Sequence, residues 1–120
     1  YGTLDGQPVQ AVTLESGPLR ARLVTYGARL TELWVPDRNG TAADIVLGHD
    51  TLDQYRATTT YFGATAGRYA NRIRQGRFRL IGEDHQLDAN EGANHLHGGR
   101  EGIDRKVWTL ADRSATWATL

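Results

Sequence analysis

The chain has 120 residues, 14 Lys and Arg against 14 Asp and Glu, and no cysteine. Balanced charge excludes the strongly basic footprint of a nucleic-acid binder, and a cysteine-free chain has neither disulfides nor thiolate metal sites. The hydrophobic fraction of 39% is ordinary for a globular protein, and no apolar run reaches the roughly 18 residues that a membrane span needs.

In chain order, segments 8–14, 28–35 and 43–47 read as strands. Between the first two, Leu19, Ala21 and Leu23 alternate with Arg20 and Arg22, the period of a strand with one buried and one wet face. Pro36-Asp37-Arg38-Asn39-Gly40 is a turn, since Asn-Gly tolerates positive φ. Asp50 or Thr51 caps a short helix through Leu52-Asp53-Gln54-Tyr55, the only helix expected. Strands are expected again at 61–66, 77–81, 85–88 and 106–111. Phe78 and Leu80 alternate with Arg77 and Arg79, and Gly82-Glu83-Asp84 is expected to close a hairpin there. The glycine-rich stretch 92–102 reads as one long loop. A polar turn at Asp112-Arg113-Ser114 precedes a further strand from Thr116. That strand stops at Leu120, and an unpaired apolar edge is something proteins avoid. The chain is therefore expected to be truncated at its C-terminus, the alternative being a natural terminal strand already paired in the sheet. The absence of any methionine points to processing, trimming or excision from a longer reading frame, and no signal peptide is legible. The pattern as a whole is all-β, with antiparallel hairpins.

Two motifs carry chemistry. In Asn94-His95-Leu96-His97-Gly98-Gly99 the histidines are two apart, so in an extended segment both would point to one side. Glycines let a ligand approach the backbone, and histidine handles protons near neutral pH. A solvated loop is the plain alternative. A metal held by His95 and His97, with His49 or His85 as a third ligand, is disfavoured by the lack of a familiar ligand set. The second motif is Gly67-Arg68-Tyr69-Ala70-Asn71-Arg72-Ile73, following Tyr61-Phe62-Gly63-Ala64. An Asn-Arg pair beside aromatics suits vicinal hydroxyls, because arginine offers a rigid fork of donors and asparagine both donates and accepts. A strand end with Arg72 in a surface ion pair is the alternative. Tyr26, Tyr61 and Phe62 suit either a sugar's apolar face or a core.

Five blocks together resemble the aldose 1-epimerase (galactose mutarotase) family. Thr25-Tyr26-Gly27-Ala28 resembles its "NYGA" strand, and Asp44 to Asp50 resembles "DVVLGFD". Tyr61 to Ile73 resembles "YFGATVGRVANRI", Asn94 to Gly99 resembles "NxLHGG", and Gly102 to Trp108 resembles "GFDKxxW". The blocks keep family order and spacing over most of the chain, with His49 and Ile103 standing where the family has phenylalanine. The resemblance implies part of a galactose-mutarotase-like antiparallel β-sandwich, with residues 1–120 as the N-terminal portion of a single domain. It implies that His97 faces the sugar and is catalytic, and that Asn71, Arg72 and His97 bind substrate, while His95 occupies a variable position. The implied reaction interconverts the α and β anomers of free hexoses such as galactose and glucose by acid–base ring opening, with no cofactor and no metal.

In the family the glutamate base, a second histidine acid and a sugar-binding aspartate lie further along the chain, so these residues carry only part of the sugar site. If the chain alone were active, its base would be sought among Asp37, Asp50, Glu91 and Asp104. The rival functions are a carbohydrate-binding module without turnover and a structural fragment, with a phosphorylated-hexose enzyme as a minor alternative. The expected partner is a free aldohexose, with no nucleic acid and no membrane. The expected location is the cytoplasm, with periplasm or secretion as the alternative.

Overall fold

A computed structural model describes residues 1–120. Its first hairpin pairs β1 (Gly2–Leu4) with β2 (Gln7–Val9). The turn is Asp5-Gly6, both at positive φ (49° and 81°), the combination that matches a two-residue hairpin to strand twist. The expected strand 8–14 is therefore two strands, because the chain changes partners at Gln10. β3 (Ala11–Ser16) joins a four-stranded antiparallel sheet with β4 (Leu19–Val24), β5 (Arg29–Pro36) and β6 (Ala42–Asp44), in the order β3-β4-β5-β6. A register shift between Arg22 and Leu23 leaves Thr31 as an extra residue on β5. The Asp37 carboxylate accepts the Asn39 and Thr41 backbone N–H groups, which holds the turn before β6. β6 is shorter than the expected 43–47: the Asp44 side chain takes the Leu33 and Val46 N–H groups and ends the ladder.

The helix α1 (Leu52–Ala57) forms where expected. Thr51 accepts from the Gln54 N–H while the Gln54 side chain caps Thr51 in return, a capping box. Its buried residues Leu52 and Tyr55 join Val9, Val24 and Tyr26 in the core. Further on lie β7 (Arg72–Ile73), β8 (Arg77–Leu80), β9 (Glu83–Gln86), β10 (His95–Leu96), β11 (Asp112–Arg113) and β12 (Ala118–Thr119), all antiparallel and paired β7 with β10, β8 with β9, and β11 with β12.

Several expected boundaries are corrected. Residues 61–66 form no strand; they are tied across by single bonds, Leu30 N–H to the Gly63 carbonyl and Thr65 N–H to the Gly27 carbonyl. Residues 106–111 make only a bridge between Val107 and Tyr26. The hairpin turn is Ile81-Gly82, so Glu83 and Asp84 belong to a strand. Asp112 and Arg113 are likewise strand, and the turn falls at Ser114 to Trp117.

The alternating apolar face of β8 is not buried: Leu80 is 56% exposed. The chain's own core is small, with 16 of 120 residues buried. The radius of gyration is 17.0 Å, against about 14 Å for a compact domain of this length. No helix is long and apolar enough to cross a membrane.

Candidate functional site

The site is built on a pair of two-residue strands. β7 and β10 align Arg72 with Leu96 and Ile73 with His95. Just beyond that ladder, Asn71 and His97 face each other, and both adopt left-handed backbone conformations (φ 63° and 53°). Asparagine and histidine are among the few non-glycine residues enriched there. Two bonds lock the corner: His97 N–H donates to the Asn71 carbonyl at 3.0 Å, and Asn71 N–H donates to His97 Nδ1 at 2.9 Å. Non-glycine residues held in this region cost free energy and cluster at functional sites.

The second bond sets the chemistry of His97. A backbone N–H can only donate, so Nδ1 is an acceptor and the neutral ring carries its proton on Nε2. Tyr61 lies beside the ring, centroid to centroid 4.6 Å. Burial pushes the Tyr61 hydroxyl above its usual value, so it remains a phenol at neutral pH.

His95 is different. It is buried, and its Nδ1 contacts the Asp88 carbonyl (2.9 Å) and carboxylate (3.1 Å), both acceptors. Its proton therefore sits on Nδ1, the opposite tautomer to His97. The run 95–97 is not extended throughout, because His97 is left-handed, and this separates the surroundings of the two rings. The backbone N–H of Arg100, followed by His95, holds the Asp88 carboxyl below the usual range. No group of three His, Asp or Glu side chains is placed to hold a metal ion; His49 packs on Tyr55 and Phe62, and His85 on Phe78.

Arg72 is the centre of the polar cluster. Its Nε donates to Glu91 Oε2 at 2.6 Å, Nη2 pairs with Glu91 Oε1, and Nη1 donates to Asn71 Oδ1 at 3.2 Å. Glu91 in turn is held below the usual carboxylate range, first by its hydrogen bonds from Arg72. The sequence-predicted residues Asn71, Arg72 and His97 thus lie in one hydrogen-bonded unit.

Sequence reasoning assigned no site role to Asn90 and named Glu91 only as a possible base. The Asn90 side chain accepts from Leu96 N–H and donates to the Leu96 carbonyl, acting as a third strand beside β10. The polar run Asp88-Ala89-Asn90-Glu91 was the available signal. Of the other carboxylates weighed as a base, Asp37 serves its turn and Asp104 is buried against Arg29. A recess of about 420 Å³ beside the cluster is lined by Tyr61, Asn90, Glu91, Arg100 and Arg105. A larger groove of about 640 Å³ is lined by Arg72, His95, Tyr69, Phe78 and Ile103, among others.

Glycines close the corner after His97. Gly98 has φ 98°, and a Cβ there would collide with the Gly67 carbonyl oxygen. Gly98→Ala is therefore expected to cost roughly 1–3 kcal/mol from backbone strain alone. Urea unfolding measures it, and a midpoint equal to the unaltered protein's would refute this account of the corner.

The family model described as aldose 1-epimerase matches residues 10–119, and the chain belongs to that family. It is 46% identical over 101 residues to the galactose mutarotase of Bos taurus, covering 84% of this chain and 30% of that protein. It is 34% identical over 111 residues to the aldose 1-epimerase of Escherichia coli (strain K12), covering 92% of this chain and 32% of that one. Among solved structures, the GalM/aldose epimerase homologue from C. elegans superposes with a TM-score of 0.85 at 32% identity, covering 90% of this chain and 34% of that chain. Galactose 1-epimerase from Lactobacillus acidophilus NCFM superposes with a TM-score of 0.75 at 31% identity, covering 95% of this chain and 33% of that chain. The chain thus spans about 30% of the length of the relatives it matches.

Proposed function

We propose that residues 1–120 form the N-terminal portion of a single aldose 1-epimerase domain and supply part of its sugar site. The substrate is a free aldohexose such as galactose or glucose. The observation that carries this reading is the locked corner at Asn71 and His97, with Arg72 bonded to it. This unit holds donors, His97 Nε2 and the guanidinium, of the kind that hydroxyl and ring oxygens accept.

Mutarotation removes the proton from the C1 hydroxyl and places one on the ring oxygen. The bond between C1 and the ring oxygen breaks, C1 turns about the C1–C2 bond, and the ring closes on the other face. Within this scheme Arg72 and Asn71 hold hydroxyls, and His97 donates a hydrogen bond to a sugar oxygen whose charge changes during opening. The base and a second acid come from outside residues 1–120. The cytoplasm is the proposed location.

Polarimetry on fresh α-D-glucose and α-D-galactose, with the spontaneous rate subtracted, tests the reading. A protein containing this chain and the remainder of the family's length should accelerate the change. Residues 1–120 alone should lose most of that acceleration, because each positioned acid or base contributes about 100- to 10,000-fold. Sugar binding without acceleration by the longer protein would overturn the enzyme reading in favour of a binding module.

A further inference from the structure

Arg72 has five N–H donors, and three are engaged within the protein: Nε and Nη2 on Glu91, and Nη1 on Asn71. Two remain, one on each terminal nitrogen. An arginine left free would prefer anions, because charge-assisted bidentate bonds to carboxylate and phosphate are the stronger ones. Here a carboxylate already occupies the charge-matching edge of the guanidinium. The pair presents oriented donors without net charge.

Glu91 is delivered to that place by a rigid backbone. Its N–H and carbonyl exchange bonds with Asn94 (3.1 and 2.9 Å) across a tight turn. Asn94 Oδ1 accepts from Gln75 N–H, and neighbouring Asn90 clamps Leu96. Both partners of the ion pair are substantially exposed, with side-chain exposures of 52% for Arg72 and 37% for Glu91. An ion pair in such a position contributes little to stability, so its geometry is better explained by what it does to Arg72. Of the other cations, Arg100 is engaged on the Ala89 carbonyl and Asp88 and Arg105 with Asp104, while Arg68, which lines the larger groove with Arg72, has no ion pair.

We propose that Glu91 is a specificity-determining positioning residue, which neutralises and orients Arg72 so that the site selects neutral sugars over acidic ones. This rests on the sugar-site reading above and adds to it the class of sugar excluded.

The test compares D-galactose with D-galacturonate on the full-length protein, unaltered and as Glu91→Gln, at low ionic strength. KM is measured by polarimetry and Kd by NMR titration. Glu91→Gln keeps the size of the side chain and one acceptor but removes the charge. Its preference should shift toward galacturonate by about tenfold or more, with little change in Tm. Glu83→Gln removes the same charge from the exposed strand β9 and should leave the preference where it was. An unchanged ratio in Glu91→Gln, or an equal shift in Glu83→Gln, overturns the proposal. If the unaltered protein binds galactose without turnover, the enzyme reading fails alone and the Kd ratio still decides the role of Glu91. If it binds neither sugar, the 15N-detected Arg72 Nε–H signal decides: protection lost in Glu91→Gln supports the clamp, and protection unchanged refutes it.

Discussion

In the full-length protein, His97→Asn is expected to lower kcat for galactose mutarotation by about 100- to 1000-fold. Asparagine is chosen because it separates the two jobs of this residue. His97 Nδ1 accepts the Asn71 N–H at 2.9 Å, and the Asn side-chain oxygen takes a similar place. Asparagine also tolerates the positive φ of 53°. The corner therefore survives, while the donor at Nε2 is lost. A hydrogen bond that strengthens as charge develops on a sugar oxygen acts mainly in the transition state, so kcat falls and KM moves little. Stopped polarimetry on fresh α-D-galactose gives both constants. A kcat within threefold of the unaltered protein, with the fold intact, would remove His97 from the catalytic step.

The second large effect is on stability. Arg29 and Asp104 are almost wholly buried, 2% and 3% exposed at the side chain, with Nη2 and Oδ2 3.7 Å apart. Arg29 also donates to the carbonyls of Phe62 (3.0 Å) and Asp104 (3.2 Å) and lies over the Tyr26 and Tyr55 rings. One guanidinium thus ties β5 to the segment before the site and to the segment after it. Burial pushes the Arg29 guanidinium down from its usual value, and Asp104 opposes that shift. Arg29 Nε and Asp104 Oδ1 are buried without partners. Asp104→Ala strands a buried positive charge and is expected to cost about 3–5 kcal/mol. The double variant Arg29→Met with Asp104→Leu removes both charges and should recover most of that loss. Urea unfolding of the three proteins checks this; a single variant no less stable than the double would show that the charge pair is not what anchors these segments.

The helix was legible because Thr51 and Gln54 satisfy each other locally, and strands β3 and β4 because alternation marks an extended chain, although burial along β4 does not alternate and Leu19 is 43% exposed. The β8 face was misread for the same reason in reverse. Phe78 and Leu80 alternate as buried residues do, yet Leu80 stays 56% exposed and Phe78, stacked only on His85, 38%. Residues 61–66 looked like a strand from composition, but their backbone groups go to single partners on Gly27 and Leu30 rather than to a ladder. Asn71, Arg72 and His97 were identified through the family motifs, not through spacing; the two-apart histidines alone implied a common side.

By itself the sequence determined the all-β class, the helix cap and the family, because these rest on local bonding, on alternation and on motif order along one chain. Only the tertiary structure decided which proton each histidine carries, since His97 meets a donor from Asn71 and His95 meets acceptors on Asp88. It also decided that Arg72 is shared with Glu91, a residue 19 positions away. Tautomer and charge neutralisation depend on which group stands opposite, and that is set by strand register and turn geometry across the fold rather than by neighbours in sequence.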